Sequence, residues 1–243
     1  MISNLLKSKK LIKFIPVTKE AELASFEPKP SKNFIPEWYK KIPKFTHNET
    51  KLKFPLNRNT HNSTLKKCIP FLDGMTAGYT VVLDDDVYIE QINQEPFIRW
   101  KSEIDIITWH NKEQYPNFSI PENYHYMVAK WHNDFLIKTP KGFSVLFTHP
   151  LNRLDLPFFT LSGLVDCDKY NSPIHFPFLL KRGFEGIIES GTPIAQIVPV
   201  KRELWKSKKY LFNSDKIYQN QRTFLRTFSD YYKKKVWIKK NYE

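Results

Sequence analysis

Glycine is scarce in this chain, with seven residues in 243 and none after Gly191. That excludes a collagen-like chain, a flexible Gly-rich linker and a Gly-rich loop cradling phosphates. Cysteine is scarcer. Cys68 and Cys167 stand far apart, without a C-x-x-C pair or histidines at zinc-finger spacing, so neither a disulfide framework nor a structural zinc site is expected. Both are read as reduced, partly buried thiols. Cys167 lies between two aspartates whose charges disfavour a thiolate, which argues against a nucleophile. No Ser-His-Asp or Cys-His elbow motif is present. No run of about 18 apolar residues occurs, so no membrane span is expected. The first fourteen residues interleave lysine with apolar positions and build no signal-peptide core. The expected location is cytoplasmic, not secreted.

What is present is enough for a folded core. Hydrophobic residues make up 41% of the chain, aromatics 15% and charged residues 26%, a balance of globular proteins rather than disordered ones. The formal charge of +13 is unevenly spread. Residues 1–68 carry 15 Lys/Arg against 5 Asp/Glu, residues 69–200 carry 10 against 16, and residues 201–243 carry 13 against 4. Net charges of +10, −6 and +9 follow. Two basic flanks around an acidic middle favour an anionic partner, namely nucleic acid, a nucleotide or an acidic protein surface. The competing role for the lysines is solubility alone.

Seventeen prolines, running from Pro16 to Pro199, leave little room for long helices before residue 200. β-branched and aromatic enrichment predicts strands at 79–83, 87–92, 97–100, 104–108, 135–138, 143–148, 158–165, 175–180 and 193–200. Many short strands at close spacing predict an all-β core, an antiparallel barrel or sandwich over residues 66–200. Residues 1–65 read as a basic extended arm, with one short helix opened by proline at Pro36-Glu37-Trp38-Tyr39-Lys40-Lys41. Residues 201–243 read as a basic helical segment. Ser214 caps a helix to Lys235, with Asp215 in its first turn, Lys233, Lys234 and Lys235 in its last, and a stripe of Ile217, Phe224, Leu225, Phe228, Tyr231 and Tyr232 packing on the β core.

Three segments resemble the dUTPase-like β-clip family. Thr76-Ala77-Gly78-Tyr79-Thr80-Val81 resembles its first motif, Asp-Ala-Gly-Tyr-Asp-Leu, which lines the nucleotide site. Gly163-Leu164-Val165-Asp166-Cys167-Asp168-Lys169-Tyr170 is similar to its third motif, in which the first Asp orients the attacking water and the Tyr stacks on the deoxyribose. Gly191-Thr192-Pro193-Ile194-Ala195-Gln196 is similar to the strand that follows. The resemblance implies a β-clip fold and, by carry-over, Asp166 as the catalytic residue. Gly78, Tyr79, Asp168, Tyr170 and Gln196 would bind substrate, with Arg153 of Pro150-Leu151-Asn152-Arg153 the best substitute for the phosphate-gripping Arg-Ser motif. It further implies magnesium with any bound nucleotide, no other cofactor, and a homo-oligomer, trimeric on the family pattern. Asp-x-Asp at a strand end also puts both carboxylates on one face, since side chains alternate with period two, and there a carboxylate can position a water.

The departures set the functional expectation. Thr76 and Thr80 stand where the family has Asp, Lys169 displaces the motif Tyr, and the Gly-rich lid over the triphosphate is missing. The stretch from Leu83 to Pro140 is an insertion. A binding or assembly module that keeps an anion or nucleotide pocket, without efficient dUTP hydrolysis, is expected; a diverged nucleotide hydrolase is the alternative. A second resemblance runs through Ile35-Pro36-Glu37-Trp38-Tyr39, Lys67-Cys68-Ile69-Pro70-Phe71 and Lys138-Thr139-Pro140-Lys141-Gly142-Phe143. It looks like an uncharacterised family of tailed phages and some bacteria. With the Lys/Asn-rich usage it points to a virus-encoded protein of the host cytoplasm or virion. One metal reading competes. His132-Asn133-Asp134 has the His-x-Asp form of a non-haem iron site, with His175 as distal ligand and Arg182 as a 2-oxoglutarate clamp; under it the cofactor would be Fe(II) and the protein an oxygenase.

Overall fold

The computed structural model describes residues 10–23, 26–45, 64–211 and 232–243. Its strands, all paired antiparallel, form four open sheets. The largest has five strands in the order β11 (Gly163–Val165), β9 (Phe143–Thr148), β14 (Pro193–Lys201), β3 (Tyr79–Val82) and β2 (Lys29–Pro30). A four-stranded sheet runs β10 (Phe158–Thr160), β12 (Phe176–Lys181), β7 (Tyr124–Trp131), β6 (Ile107–Trp109). β13 (Gly186–Ile188), β4 (Val87–Ile92) and β5 (Glu95–Arg99) make a third sheet, and β1 (Lys13–Pro16) pairs with β8 (Phe135–Lys138). The all-β core of short antiparallel strands is as expected. The barrel is not: among the described residues no sheet closes on itself.

The core lies between the two larger sheets. Register places Phe176 opposite Trp131 and Phe178 opposite Ala129, so these side chains share one face. Trp131 stacks on Phe178 at 3.9 Å between ring centroids and meets Phe158 edge-on at 5.1 Å. From the five-stranded sheet Phe147 reaches Phe176 edge-on at 5.4 Å, joining the layers. Each such side chain contributes roughly 1.5–3 kcal/mol on burial. β14, flanked by β9 and β3, is buried on both faces from Pro193 to Ile197, and its one polar side chain there, Gln196, is hydrogen-bonded.

Proline rationing of helices holds. Among the described residues the longest helix is α3 (Ile69–Thr76), after α1 (Lys19–Leu23) and α2 (Glu37–Lys41), the last following Pro36 as predicted. From residues 1–65, residues 13–16 pair with β8 as β1 and residues 29–30 pair with β3 as β2. The predicted helix at 214–235 lies outside the described residues except at its end, where Tyr232–Val236 forms a π-helical turn. The predicted 158–165 strand is two, β10 and β11, in different sheets.

Candidate functional site

A cavity of about 710 Å³ opens at one end of the five-stranded sheet. Tyr79 of β3, Phe143 of β9 and Pro199 of β14 form its floor, which register makes one face. Phe14 of β1 closes a side, edge-on to Tyr79 at 5.2 Å. Residues 241–243 complete the wall: Tyr242 packs edge-on to Tyr79 at 5.9 Å, and the Tyr79 hydroxyl donates to the Glu243 carbonyl oxygen at 3.1 Å. Burial, with Tyr242 and Glu243 nearby, raises the Tyr79 phenol above its ordinary pKa. Lys10 brings positive charge, lying over the Phe143 ring at 5.5 Å, while Lys29 pairs with Glu27 at 3.8 Å.

Gly78 fixes the position of Tyr79. Its φ is +67°, and a Cβ there would lie 1.9 Å from the Ile197 carbonyl oxygen. Only glycine lets β3 enter so close to β14.

Asp166 and Asp168 adjoin the cavity across the 140–143 turn, whose Pro140 and Phe143 line it. They follow β11, and both are held. Arg202, just past β14, takes Asp168 in a two-pronged ion pair and reaches Asp166 at 3.1 Å. Ser144 donates to Asp166 at 2.6 Å and accepts from Arg202 at 3.2 Å, while the Gly142 backbone N–H donates to Asp168 at 2.9 Å. The Asp168 side chain is only 4% exposed. Its hydrogen bonds from Arg202 and Gly142 lower its pKa to about 2; Ser144, then Arg202, lowers that of Asp166. The pair is thus ionised and already supplied with donors. Cys167 between them is fully buried, and burial above all pushes its thiol up to about 11, which leaves it unreactive.

The other sequence-selected residues lie apart from the cavity. Gln196 is buried and ties α3 to the 150–153 turn: its amide donates to the carbonyls of Gly74 (2.9 Å) and Ala77 (2.6 Å), and its oxygen accepts from the Leu151 N–H at 2.8 Å. Arg153 pairs with Asp155 at 2.9 Å. Tyr170 is exposed, and its carbonyl accepts from Lys138 at 2.6 Å. His132 and His175 do come together, rings stacked 4.5 Å apart, but His132 Nε2 is taken by the Thr108 hydroxyl at 2.9 Å and His175 Nδ1 accepts from the Asn133 N–H at 3.4 Å. Burial lowers both histidine pKa values. Asp134 lines a separate cavity of about 280 Å³ with His132, Asp84 and Asp85. Among the described residues, no group of three or more His, Cys, Asp or Glu side chains is placed to hold a metal ion. No described helix is long and apolar enough to cross a membrane.

Sequence reasoning missed Arg202, Phe14 and Tyr242. Arg202 stands in a lysine-rich run, where nothing local distinguishes a clamp from a solvated charge. Against known proteins, the chain matches no family model, no curated sequence and no solved structure.

Proposed function

We propose that the protein is a non-hydrolytic binding and assembly module whose Tyr79 cavity takes a nucleotide-class ligand, an aromatic base carrying phosphate. The observation that carries this reading is the cavity itself: rings of Tyr79, Phe14 and Phe143 that offer stacking faces, beside Lys10 that offers charge to an anion. The resemblance of residues 76–81 to a nucleotide-lining motif supports the same ligand class. The state of the aspartates supports the absence of hydrolysis. A carboxylate that orients a water needs a free lone pair facing the substrate; Asp168 engages both oxygens with Arg202 and Gly142, and Asp166 engages its Oδ1 with Ser144 and Arg202. The second resemblance and the Lys/Asn-rich usage support a viral setting.

The test is a titration of the full chain with dUTP and magnesium, paired with a hydrolysis assay. Saturable binding is expected, weakened about tenfold or more by Tyr79→Ala, since one base–aromatic stack is worth about 1–3 kcal/mol. Phosphate release should match the buffer control. Absence of saturable binding overturns the pocket. Turnover near 1 s⁻¹, abolished by Asp166→Asn, overturns the non-hydrolytic reading and establishes the hydrolase instead.

A further inference from the structure

β14 ends at Lys201, and Arg202 pins the chain there through Asp168 and a backbone bond to the Gly142 carbonyl at 2.9 Å. Residues 203–211 then leave the body without regular secondary structure, every one of them exposed. They carry large apolar groups: Leu204 is fully exposed, Trp205 85%, Tyr210 78% and Leu211 97%. Lys206, Lys208 and Lys209 are interleaved among them. So much apolar surface on one basic segment marks an interaction element rather than a solvated tail.

A matching surface exists on the same chain. The inner face of the third sheet buries Val87, Ile89 and Ile188. Its outer face, by register, presents Ile187, Tyr88 and Arg99 in one row, Glu90 and Phe97 in the next, and Ile92 with Glu95 in the last. Ile187, Phe97 and Ile92 are about half exposed, at 52%, 46% and 51%. Glu90, Glu95 and Glu185 outnumber Arg99 and Lys101 around them, with Arg99 paired to Glu90 and Lys101 over the Tyr88 ring. An apolar and acidic sheet face thus complements an apolar and basic segment.

The two ends of β14 keep this face from the arm of its own chain. The third sheet is fastened at the start of β14, through Leu83 to Thr192 and Asp86 to Ser190. The arm departs from the other end, about 26 Å away at ~3.3 Å per residue. Nine residues reach at most about 30 Å, so the return alone would consume the arm. We propose that residues 203–211 dock on the outer face of the β13–β4–β5 sheet of a second copy of this chain. This deepens the assembly half of the proposed function and rests on it, while making no use of the nucleotide cavity.

Molar mass by light scattering, over protein concentration and at low and high salt, tests the proposal on the full chain. Self-association is expected, weakened by salt because the contact is partly ionic. The variant Leu204→Ser/Trp205→Ser/Tyr210→Ser/Leu211→Ser should raise the dissociation constant tenfold or more with an unchanged melting temperature, since these side chains are almost wholly exposed in the monomer. In a Cys68→Ser background, Trp205→Cys and Phe97→Cys carried on separate chains should form a disulfide between copies when mixed. Monomeric mass at every concentration and salt overturns the proposal, as does an oligomer indifferent to the fourfold variant. dUTP binding, measured on the same variant, should be unchanged, so failure of the cavity reading and failure of the arm reading give different results.

Discussion

At the scale of single residues, the Arg202 clamp makes a pH-dependent claim. Asp168 titrates near 2 in the folded chain and near 3.8 when released, so the unfolded state binds more protons between those values. The clamp therefore stabilises fully above about pH 4, and its contribution is lost as pH falls towards 2. Asp168→Asn should lower the melting temperature at neutral pH, and the gap to the parent should narrow through that window and nearly close at its lower end. A gap constant from pH 6 to 2.5 would show that Arg202 does not hold an ionised Asp168. The two aspartates were legible in the sequence through their alternation at a strand end, but their partner was not. Arg202 is 34 residues away from Asp168, and only the pairing of β9 with both β11 and β14 brings Ser144, Asp166 and Arg202 to one place.

At the scale of elements, legibility followed local composition. β4, β8 and β9 are rich in Val, Ile and Phe and occupy the predicted residues, 87–92, 135–138 and 143–148. β7 escaped notice although it is interior to its sheet. Its sequence, Tyr-His-Tyr-Met-Val-Ala-Lys-Trp, places buried residues without strict alternation and includes His, Ala and Lys, which carry little strand signal. β1 and β2 were missed because each is short and includes a proline, tolerated here at sheet edges. The β4–β5 turn offers a direct test of local design. Ile92 pairs with Glu95, so the loop is two residues, and both Asn93 (φ 53°) and Gln94 (φ 66°) sit in the left-handed region. That is the geometry of a type I′ turn, which Asn-Gly satisfies and Asn-Gln strains. Gln94→Gly should raise stability by about 0.5–1 kcal/mol, read from denaturant melting. A loss of stability would mean that Gln94 makes a compensating contact.

At the scale of the whole molecule, the chain is fastened to itself over long separations. Trp237 donates its indole N–H to Asp73 at 2.8 Å and Lys240 reaches the same carboxylate at 2.6 Å, which holds residues 237–243 against α3 and the Tyr79 cavity. Hydrogen bonds to a charged acceptor are worth about 1.5–3 kcal/mol. Asp73→Ala should therefore speed hydrogen exchange at the Trp237 amide, which donates to the Tyr232 carbonyl, about tenfold or more while leaving β9 and β14 protected. Equal exchange in the variant and the parent would show that other contacts hold the segment. The same fastening has a consequence for the order of events during synthesis. The Tyr79 hydroxyl meets a carbonyl 164 residues further along the chain. At ~5–20 residues per second a ribosome needs about 8–33 s to cover that distance. Once β14 has been made, Tyr79, Phe14 and Phe143 can be in the nascent sheets, yet the cavity stands open on the side that Tyr242 will close. The site is thus finished well after the strands that floor it, and a chain halted before residue 237 would carry the sheets without the completed pocket.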